Sequence, residues 1–392
     1  MRILHVAPYF APAFCYGGPP RTILGLCQAQ QRLAHKVTVF TTTANGAHPF
    51  PASIERPDSY EGISVHRFPL GMASRFFHAP ELVKSLQVRA REFDVVHIHC
   101  LWNLASSGAA RTCWNLGVPY VVSTRGMMLA VARSNHPWRK RISYPILESR
   151  VLRRAQFVHV TSDEEASEVL RLRAASDVVK IPNGVEIPPD LSSCKGVFRR
   201  QHGIGNDSAI VAWVGRIHRI KRLDLLAAAF AKVLSATPRT KLVLAGPDEG
   251  GYRAQVAPLF AQFGDAVTWT GELDGTGRTH LLADANVLVA CSDVESFGMS
   301  IVEAMAAALP VVVTRSCPWP QIEQERCGKW VTQSAESISE ALVELIRNPD
   351  EAVAMGNRGR QFVGRNYVWD SVARDMVAAY AKVLRGAEGE RR

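Results

Sequence analysis

The sequence predicts an α/β chain made of two doubly wound, Rossmann-like domains. Short β-rich runs alternate with helical stretches along nearly the whole length, a proline-rich connection interrupts them once, and 392 residues suit two cores better than one. Apolar residues make up 47% and charged residues 21%, without a long polar tract, which is the composition of a folded chain.

Arg2-Ile-Leu-His-Val6 and His35-Lys-Val-Thr-Val-Phe-Thr-Thr42 read as strands on either side of a helix from about Pro20 to Ala34. The rhythm repeats through strands at Asp94 to His99, Pro119 to Ser123 and Phe157 to Val160, with a helix from Leu104 to Leu116. Such alternation predicts a parallel sheet covered on both faces. Around Ile181-Pro-Asn-Gly-Val-Glu-Ile-Pro-Pro189 the prolines and Asn-Gly mark a connection, so the first domain is expected to span 1–188 and the second 189–369. The second half repeats the pattern, with strands at Ala209 to Val214, Lys241 to Ala245, Val267 to Thr270, Val287 to Ala290 and Pro310 to Thr314. Val372 to Leu384 then carries apolar positions at helical spacing (Val372, Met376, Val377, Tyr380, Val383, Leu384), an amphipathic helix of about 370–386 that must pack against a core.

The apolar runs are strand-sized, far short of the roughly 20 residues of a membrane span. The first residues lack the apolar length and cleavage site of a signal peptide, so the expected location is the cytoplasm. Eight cysteines form no C-x-x-C pair and no His/Cys cluster at zinc spacing, and read as reduced, mostly buried thiols. A net charge of +10 points to an anionic partner and leaves nucleic acid, anionic lipid and a phosphorylated substrate open.

In open parallel sheets ligands bind beyond the C-terminal strand ends. After the first strand, Gly17 and Gly18 permit close backbone approach just before a helix, a cradle for phosphate or sugar and equally an ordinary tight turn. After Val214, Arg216 and Lys221 could hold a diphosphate; alone they also describe a solvated basic turn. After Ala290, Glu295 falls in a loop and Glu303 about one turn inside the next helix. The amides of Phe297, Gly298 and Met299 are available there to phosphate or hydroxyl groups. Glu303 could equally complement the helix dipole while Glu295 is exposed. His99 ends a strand ahead of Trp102 and Asn103, and alone reads more readily as structural than catalytic. The chain has no G-x-G-x-x-G after the first strand, no P-loop and no D-x-D pair, which disfavours dehydrogenase, P-loop and metal-dependent chemistry.

Together these pieces resemble glycosyltransferase family 4. The resemblance runs through Gly17-Gly18-Pro19, His97-Ile-His99 with Trp102-Asn103, Ser123-Thr-Arg-Gly-Met127, Ile181-Pro-Asn-Gly-Val185, Gly215-Arg216 with Lys221, Ala245-Gly-Pro-Asp-Glu-Gly250, and Glu295-Ser-Phe-Gly-Met with Glu303-Ala, the family's E-x7-E element. It implies a GT-B fold, two Rossmann-like domains facing across a cleft, with the C-terminal helix returning to the first. It also implies a retaining hexosyl transfer from a nucleotide-diphosphate sugar to a glycan or lipid-linked acceptor, without cofactor or metal, in bacterial surface polysaccharide biosynthesis. Arg216 and Lys221 would bind the diphosphate, Glu303 the ribose and Glu295 the transferred sugar. Gly17, Gly18 and the amides after Glu295 would complete the donor cradle. His99 would touch the sugar, and Arg125, Trp102 and Asn103 would lie on the acceptor side.

Ser296, the glycine-free Ala306-Ala-Ala-Leu-Pro310 and Thr124 depart from the commonest family pattern and obscure the donor's identity. Between Arg125 and Arg154 stand Arg133, Arg139, Lys140, Arg141, Arg150 and Arg153 with Trp138 nearby, either a surface for anionic lipid at the inner membrane face or a solvated helical face. The rival class is a catalytically silent glycan- or nucleotide-binding subunit of the same fold. Nucleic acid is not expected as a partner, since no recognition module accompanies the charge.

Overall fold

The computed structural model describes residues 1–134, 138, 140, 143–175 and 177–389. The chain divides into two compact units, Met1–Gly184 with Trp369–Arg392, and Val185–Val368.

The first unit holds strands β1 (Arg2–Ala7), β2 (Lys36–Thr42), β3 (Asp58–Tyr60), β4 (Ile63–Phe68), β5 (Val95–His99), β6 (Tyr120–Ser123), β7 (Val158–Val160) and β8 (Val178–Lys180). Their order in the sheet is β3-β4-β2-β1-β5-β6-β7-β8. All pair in parallel except β3 with β4, an antiparallel edge hairpin that the sequence reading did not anticipate. Successive side chains point to opposite faces, so Leu4, Val6, Val96, Ile98 and Val122 join one apolar layer while Ile3, Val95, Val121 and Phe157 join the other. The second layer also takes Leu26 and Ala29 of the helix Gly18–Arg32 and Val372, Met376 and Tyr380 of the C-terminal helix Trp369–Gly389. Trp369 lies flat against Gly25 and Gly184, where any Cβ would come within 2.3 Å of its ring. Two glycines therefore make room for the helix to enter this core.

The second unit holds β9 (Ala209–Val214), β10 (Thr240–Ala245), β11 (Val267–Gly271), β12 (Val287–Ala290), β13 (Val311–Thr314) and β14 (Gly328–Val331), all parallel in the order β11-β10-β9-β12-β13-β14. Val211, Trp213, Leu242, Leu244, Val287 and Val289 face the helices Leu223–Ala236 and Ala335–Arg347. Leu288, Ala290, Val311 and Val313 face Ile301, Val302 and Met305 of the helix Met299–Ala306. Each sheet reverses its winding once, between β1 and β5 in the first unit and between β9 and β12 in the second. Crevices for ligands form at such reversals because the flanking loops leave in opposite directions.

Candidate active site

In the second unit the reversal brings together the loops that follow β9 and β12. After Val214 the chain passes Gly215, Arg216 and Ile217, makes a short turn at Arg219–Lys221, and enters the next helix through Arg222 in a left-handed conformation (φ 53°). Ile217 N donates to Pro247 O at 2.8 Å and Glu249 N to Ile217 O at 3.2 Å, so this loop is stitched to the one after β10. Gly246 lies directly against it: a Cβ there would stand 1.7 Å from Gly215 O, and its φ of 149° itself favours glycine.

Lys221 Nζ forms an ion pair with Glu295 Oε1, and Ser292 Oγ donates to the same oxygen at 2.9 Å. The side chains of Lys221 and Glu295 are only 18% and 14% exposed, which removes the reading of Glu295 as a free surface acid. Arg216 pairs with Glu249 at 2.6 Å on a more open edge. Glu303 sits within the helix Met299–Ala306 and pairs with Arg278 of the helix Gly275–Asp284. Arg222 bridges Asp224 and Asp293, and those hydrogen bonds raise its pKa further. Gly298 caps Met299–Ala306 at φ 81°. Phe297 O accepts a 2.5 Å bond from Trp319 Nε1, with the Phe297 ring buried against Trp319 and Tyr367. Among the described residues none accepts a hydrogen bond from the Phe297, Gly298 or Met299 amides. The site therefore offers two cations, two carboxylates and a helix N-terminus within one strand reversal.

In the first unit the corresponding loops carry Gly17, Gly18 and the segments after β5 and β6. Gly17 takes φ 86° and its amide donates to Phe14 O at 2.8 Å, closing the turn that leads into the helix; Gly18 opens that helix. Asn103 is likewise committed to the fold: its Oδ1 accepts from Ser106 N at 2.8 Å to cap Leu104–Leu116, and its Nδ2 donates to Leu101 O at 3.2 Å. Trp102 is partly buried, donates from Nε1 to Met127 O, and takes left-handed backbone at φ 59°.

Arg125 also has left-handed backbone, φ 52°. Its turn is held by the buried Glu165, which accepts from Thr124 Oγ1 at 2.5 Å and Gly126 N at 2.6 Å and whose pKa is raised by burial. Arg125 donates to Asn183 Oδ1 at 2.8 Å and meets Thr22 Oγ1 at 3.4 Å and His99 Nδ1 at 3.2 Å. Among the described residues no carboxylate forms an ion pair with it, and its buried Nε has no hydrogen-bond partner. Burial lowers its pKa, and the opposing influence of nearby Glu165 does not outweigh it.

His99 is fully buried together with His5 and His97, and their ring nitrogens lie within 4.8 Å of one another. All six nitrogens are already hydrogen-bonded: His99 to Arg125 and His5, His5 also to Gln30, and His97 to Tyr380 and Ser123. Burial depresses the pKa of each, that of His5 to about 4.

Residues 17–184 match the family described as "Glycosyl transferase 4-like domain", and 195–362 match "Glycosyl transferases group 1". The chain carries both domains of a glycosyltransferase. It is 27% identical over 311 residues to a D-inositol 3-phosphate glycosyltransferase of Actinosynnema mirum, covering 74% of this chain and 72% of that one. It is 25% identical over 385 residues to an uncharacterized glycosyltransferase of Methanocaldococcus jannaschii, covering 92% and 95%. Among solved structures, sucrose-phosphate synthase from Thermosynechococcus elongatus superposes with a TM-score of 0.79 at 21% identity, covering 98% of this chain and 100% of that one. Anabaena HepE in complex with UDP-glucose gives 0.74 at 18%, covering 97% and 100%. The fold is thus GT-B.

In this glycosyltransferase the sequence reading missed Arg278, Glu249 and Glu165, the partners of residues it had singled out. Arg278 falls in a segment whose local pattern is that of ordinary surface residues, and Glu249, inside the Ala245-Gly-Pro-Asp-Glu-Gly250 motif, has no role of its own until the pairing with Arg216 gives it one. A signal for the histidine cluster was present: Val95, His97 and His99 alternate along β5, and a period of two puts both histidines on one covered face.

Proposed function

We propose that this chain is a retaining glycosyltransferase that moves a hexosyl unit from a nucleotide-diphosphate sugar to a glycan or lipid-linked acceptor. The observation that carries the reading is the Lys221–Glu295 pair, flanked by Arg216 and by the Glu303–Arg278 pair, at the strand reversal of the second unit. HepE, whose fold this chain shares, is described in complex with UDP-glucose, which supports a donor of that class. A diphosphate brought to Arg216 takes over the place of Glu249, and Lys221 supplies the second positive charge. As the bond between anomeric carbon and phosphate oxygen breaks, charge grows on the leaving diphosphate, and those two cations stabilise it without a bound metal. Glu303 accepts hydrogen bonds from ribose hydroxyls, and Glu295 from hydroxyls of the transferred sugar. Retention follows if the acceptor attacks on the face the diphosphate leaves, its proton passing to a departing phosphate oxygen. Arg125 in the first unit faces the acceptor.

The decisive experiment is a thermal-shift screen of nucleotide sugars, followed by transfer assays with product anomer analysis on the hits. Stabilisation by one nucleotide sugar with a retained anomer in the product is expected. No stabilisation by any of them, or an inverted product, refutes the reading.

Contact with an anionic membrane at the inner face is the second part of the proposal, in keeping with a lipid-linked acceptor and surface polysaccharide synthesis. Among the described residues no helix is long and apolar enough to cross a membrane. Trp138 and Ile146 are 62% and 54% exposed on the segment that carries Arg150 and Arg153. Arg133 is instead paired with Glu168 and Arg154 is stacked on Trp114, while Arg139 and Arg141 lie outside the described residues. Co-sedimentation with anionic but not neutral vesicles is expected; equal behaviour with both excludes recognition of an anionic membrane.

A further inference from the structure

Four buried histidines of the first unit, His5, His97, His99 and His159, lie on one continuous hydrogen-bonded chain. Register places them in a row: His5 is paired with His97, His99 with Ser123, and Ser123 with His159, across β1, β5, β6 and β7. Gln30 of the helix Gly18–Arg32 and Tyr380 of the C-terminal helix cover the row. The links run from Arg125 Nη2 to His99 Nδ1 (3.2 Å), His99 Nε2 to His5 Nδ1 (2.8 Å), His5 Nε2 to Gln30 Oε1 (2.8 Å) and Gln30 Nε2 to Tyr380 OH (3.4 Å). They continue from Tyr380 OH to His97 Nδ1, His97 Nε2 to Ser123 Oγ and Ser123 Oγ to His159 Nδ1, each 2.5 Å, and end on Ile181 O at 2.8 Å.

The ends decide every proton between them. Arg125 can only donate, so His99 Nδ1 must accept; its Nε2–H then donates to His5, whose Nε2–H donates to Gln30. At the far end the Ile181 carbonyl can only accept, so His159 carries its proton on Nε2, Ser123 donates to His159, and His97 donates to Ser123. The two half-chains meet at Tyr380, which must accept from Gln30 and donate to His97. A phenol hydroxyl can do both. Every ring nitrogen and hydroxyl between Arg125 and Ile181 is then satisfied in one arrangement.

We propose that this chain is a one-way relay that fixes His99 as the neutral Nε2–H tautomer and makes it a positioning residue for Arg125, with Tyr380 joining the returning helix to the site. His99 then reaches the reaction only through Arg125, because both of its nitrogens are committed. The charged and titratable groups acting on His99 are Arg125, His5, His97 and His159, and burial holds all four imidazoles neutral. The positioning role rests on the glycosyl-transfer reading; the tautomer pattern does not.

The test has two arms. With 15N-labelled histidine in the full chain, resonances of His5, His97, His99 and His159 are assigned by single substitutions. All four should show the neutral Nε2–H pattern from about pH 8 to about pH 5.5, across the range where a free imidazole titrates. A proton on Nδ1, or a charged ring at neutral pH, in any of them overturns the relay. In the second arm, His99→Asn keeps an acceptor near the Nδ1 position towards Arg125, whereas His99→Gln keeps only the link to His5. Turnover should be at least about tenfold higher in His99→Asn than in His99→Gln, because a misplaced Arg125 costs up to about a hundredfold. The wild-type pH profile should show no limb from His99. Equal loss in both variants, or a limb that His99→Asn abolishes, makes His99 a proton-transferring group and overturns the proposal. Absence of transfer in the wild type would refute the function and leave the labelling arm to stand.

Discussion

Lys221 and Glu295, 74 residues apart in sequence, meet as an ion pair because β9 and β12 are neighbours and the loops that follow them touch beyond the strand ends. Asp293 N donates to Ile220 O at 2.8 Å, so the two loops are joined through their backbones as well as their charges. Gln333 Nε2 reaches Cys291 O, Ser292 O and Asp293 Oδ1, fixing the second loop from beyond β14. The pair is therefore held by the sheet and not by side-chain preference.

Replacing Lys221 by Met keeps most of the side-chain volume and removes the charge. If Lys221 stabilises a leaving diphosphate, kcat falls by about 10²–10³-fold, the usual loss for one electrostatic group acting on developing charge. The thermal midpoint should move by only a few degrees, since Glu295 keeps Ser292 as a donor. Steady-state kinetics beside a melting curve separates the two effects, and a variant with wild-type kcat removes Lys221 from the mechanism.

Glu303 and Arg278 should act on affinity. Glu303→Ala removes the acceptor for ribose hydroxyls, and nucleotide Kd should rise about tenfold, the worth of one hydrogen bond to a charged group. Arg278→Ala should raise it less, because Arg278 only orients the carboxylate. Calorimetric titration with a nucleoside diphosphate reads both, and a larger effect from Arg278 would reverse their assigned roles.

The long central strands were legible because their alternation is strong: Ile3, His5 and Val95, His97 share one face as a period of two requires. Strands β3, β4, β8 and β14 were not: β3 and β8 have three residues each, β4 carries His66 and Arg67 where an apolar run would continue, and β14 begins on a glycine. In the site, Arg216, Lys221, Glu295 and Glu303 stood out because each follows a strand end. Their partners did not, because Arg278 and Glu249 become meaningful only once helices and loops are packed. Gln30 and Tyr380 show this most clearly: they meet across 350 residues, and nothing local to either marks it.

Gly246 gives a prediction about the loop beneath Arg216. In Gly246→Ala the new Cβ would stand 1.7 Å from Gly215 O, backbone that cannot rotate aside, at a φ of 149° that favours glycine. Strain and overpacking of this kind cost about 2–4 kcal/mol. Urea unfolding should show the loss, and nucleotide affinity should fall with it as the Arg216 loop shifts. Wild-type stability in this variant would mean that the loop can move freely over β10.

The buried histidines make stability depend on pH, and the sign can be worked out. Burial lowers His5 to about 4 and His159 to about 3, and holds His97 and His99 well below the ordinary 6.5. Below 6.5 the unfolded chain therefore binds protons that the folded one refuses, and acid favours unfolding. Each of the four contributes about 1.4 kcal/mol of lost stability per pH unit below 6.5, down to its own folded value. Glu165 and Glu148 work the other way, because their raised folded pKa values make the native state bind the extra proton just above 4.5, but they are two groups against these four histidines and His66, which burial also lowers. The unfolding free energy should thus be level above about pH 7 and fall steeply towards about pH 5.5. In His159→Gln the amide can still donate to Ile181 O, so the fold should survive while the slope drops by one proton. Urea titrations at a series of pH values measure that slope directly. A slope unchanged in His159→Gln, or stability level down to about pH 5.5, would mean that these imidazoles are charged in the folded protein.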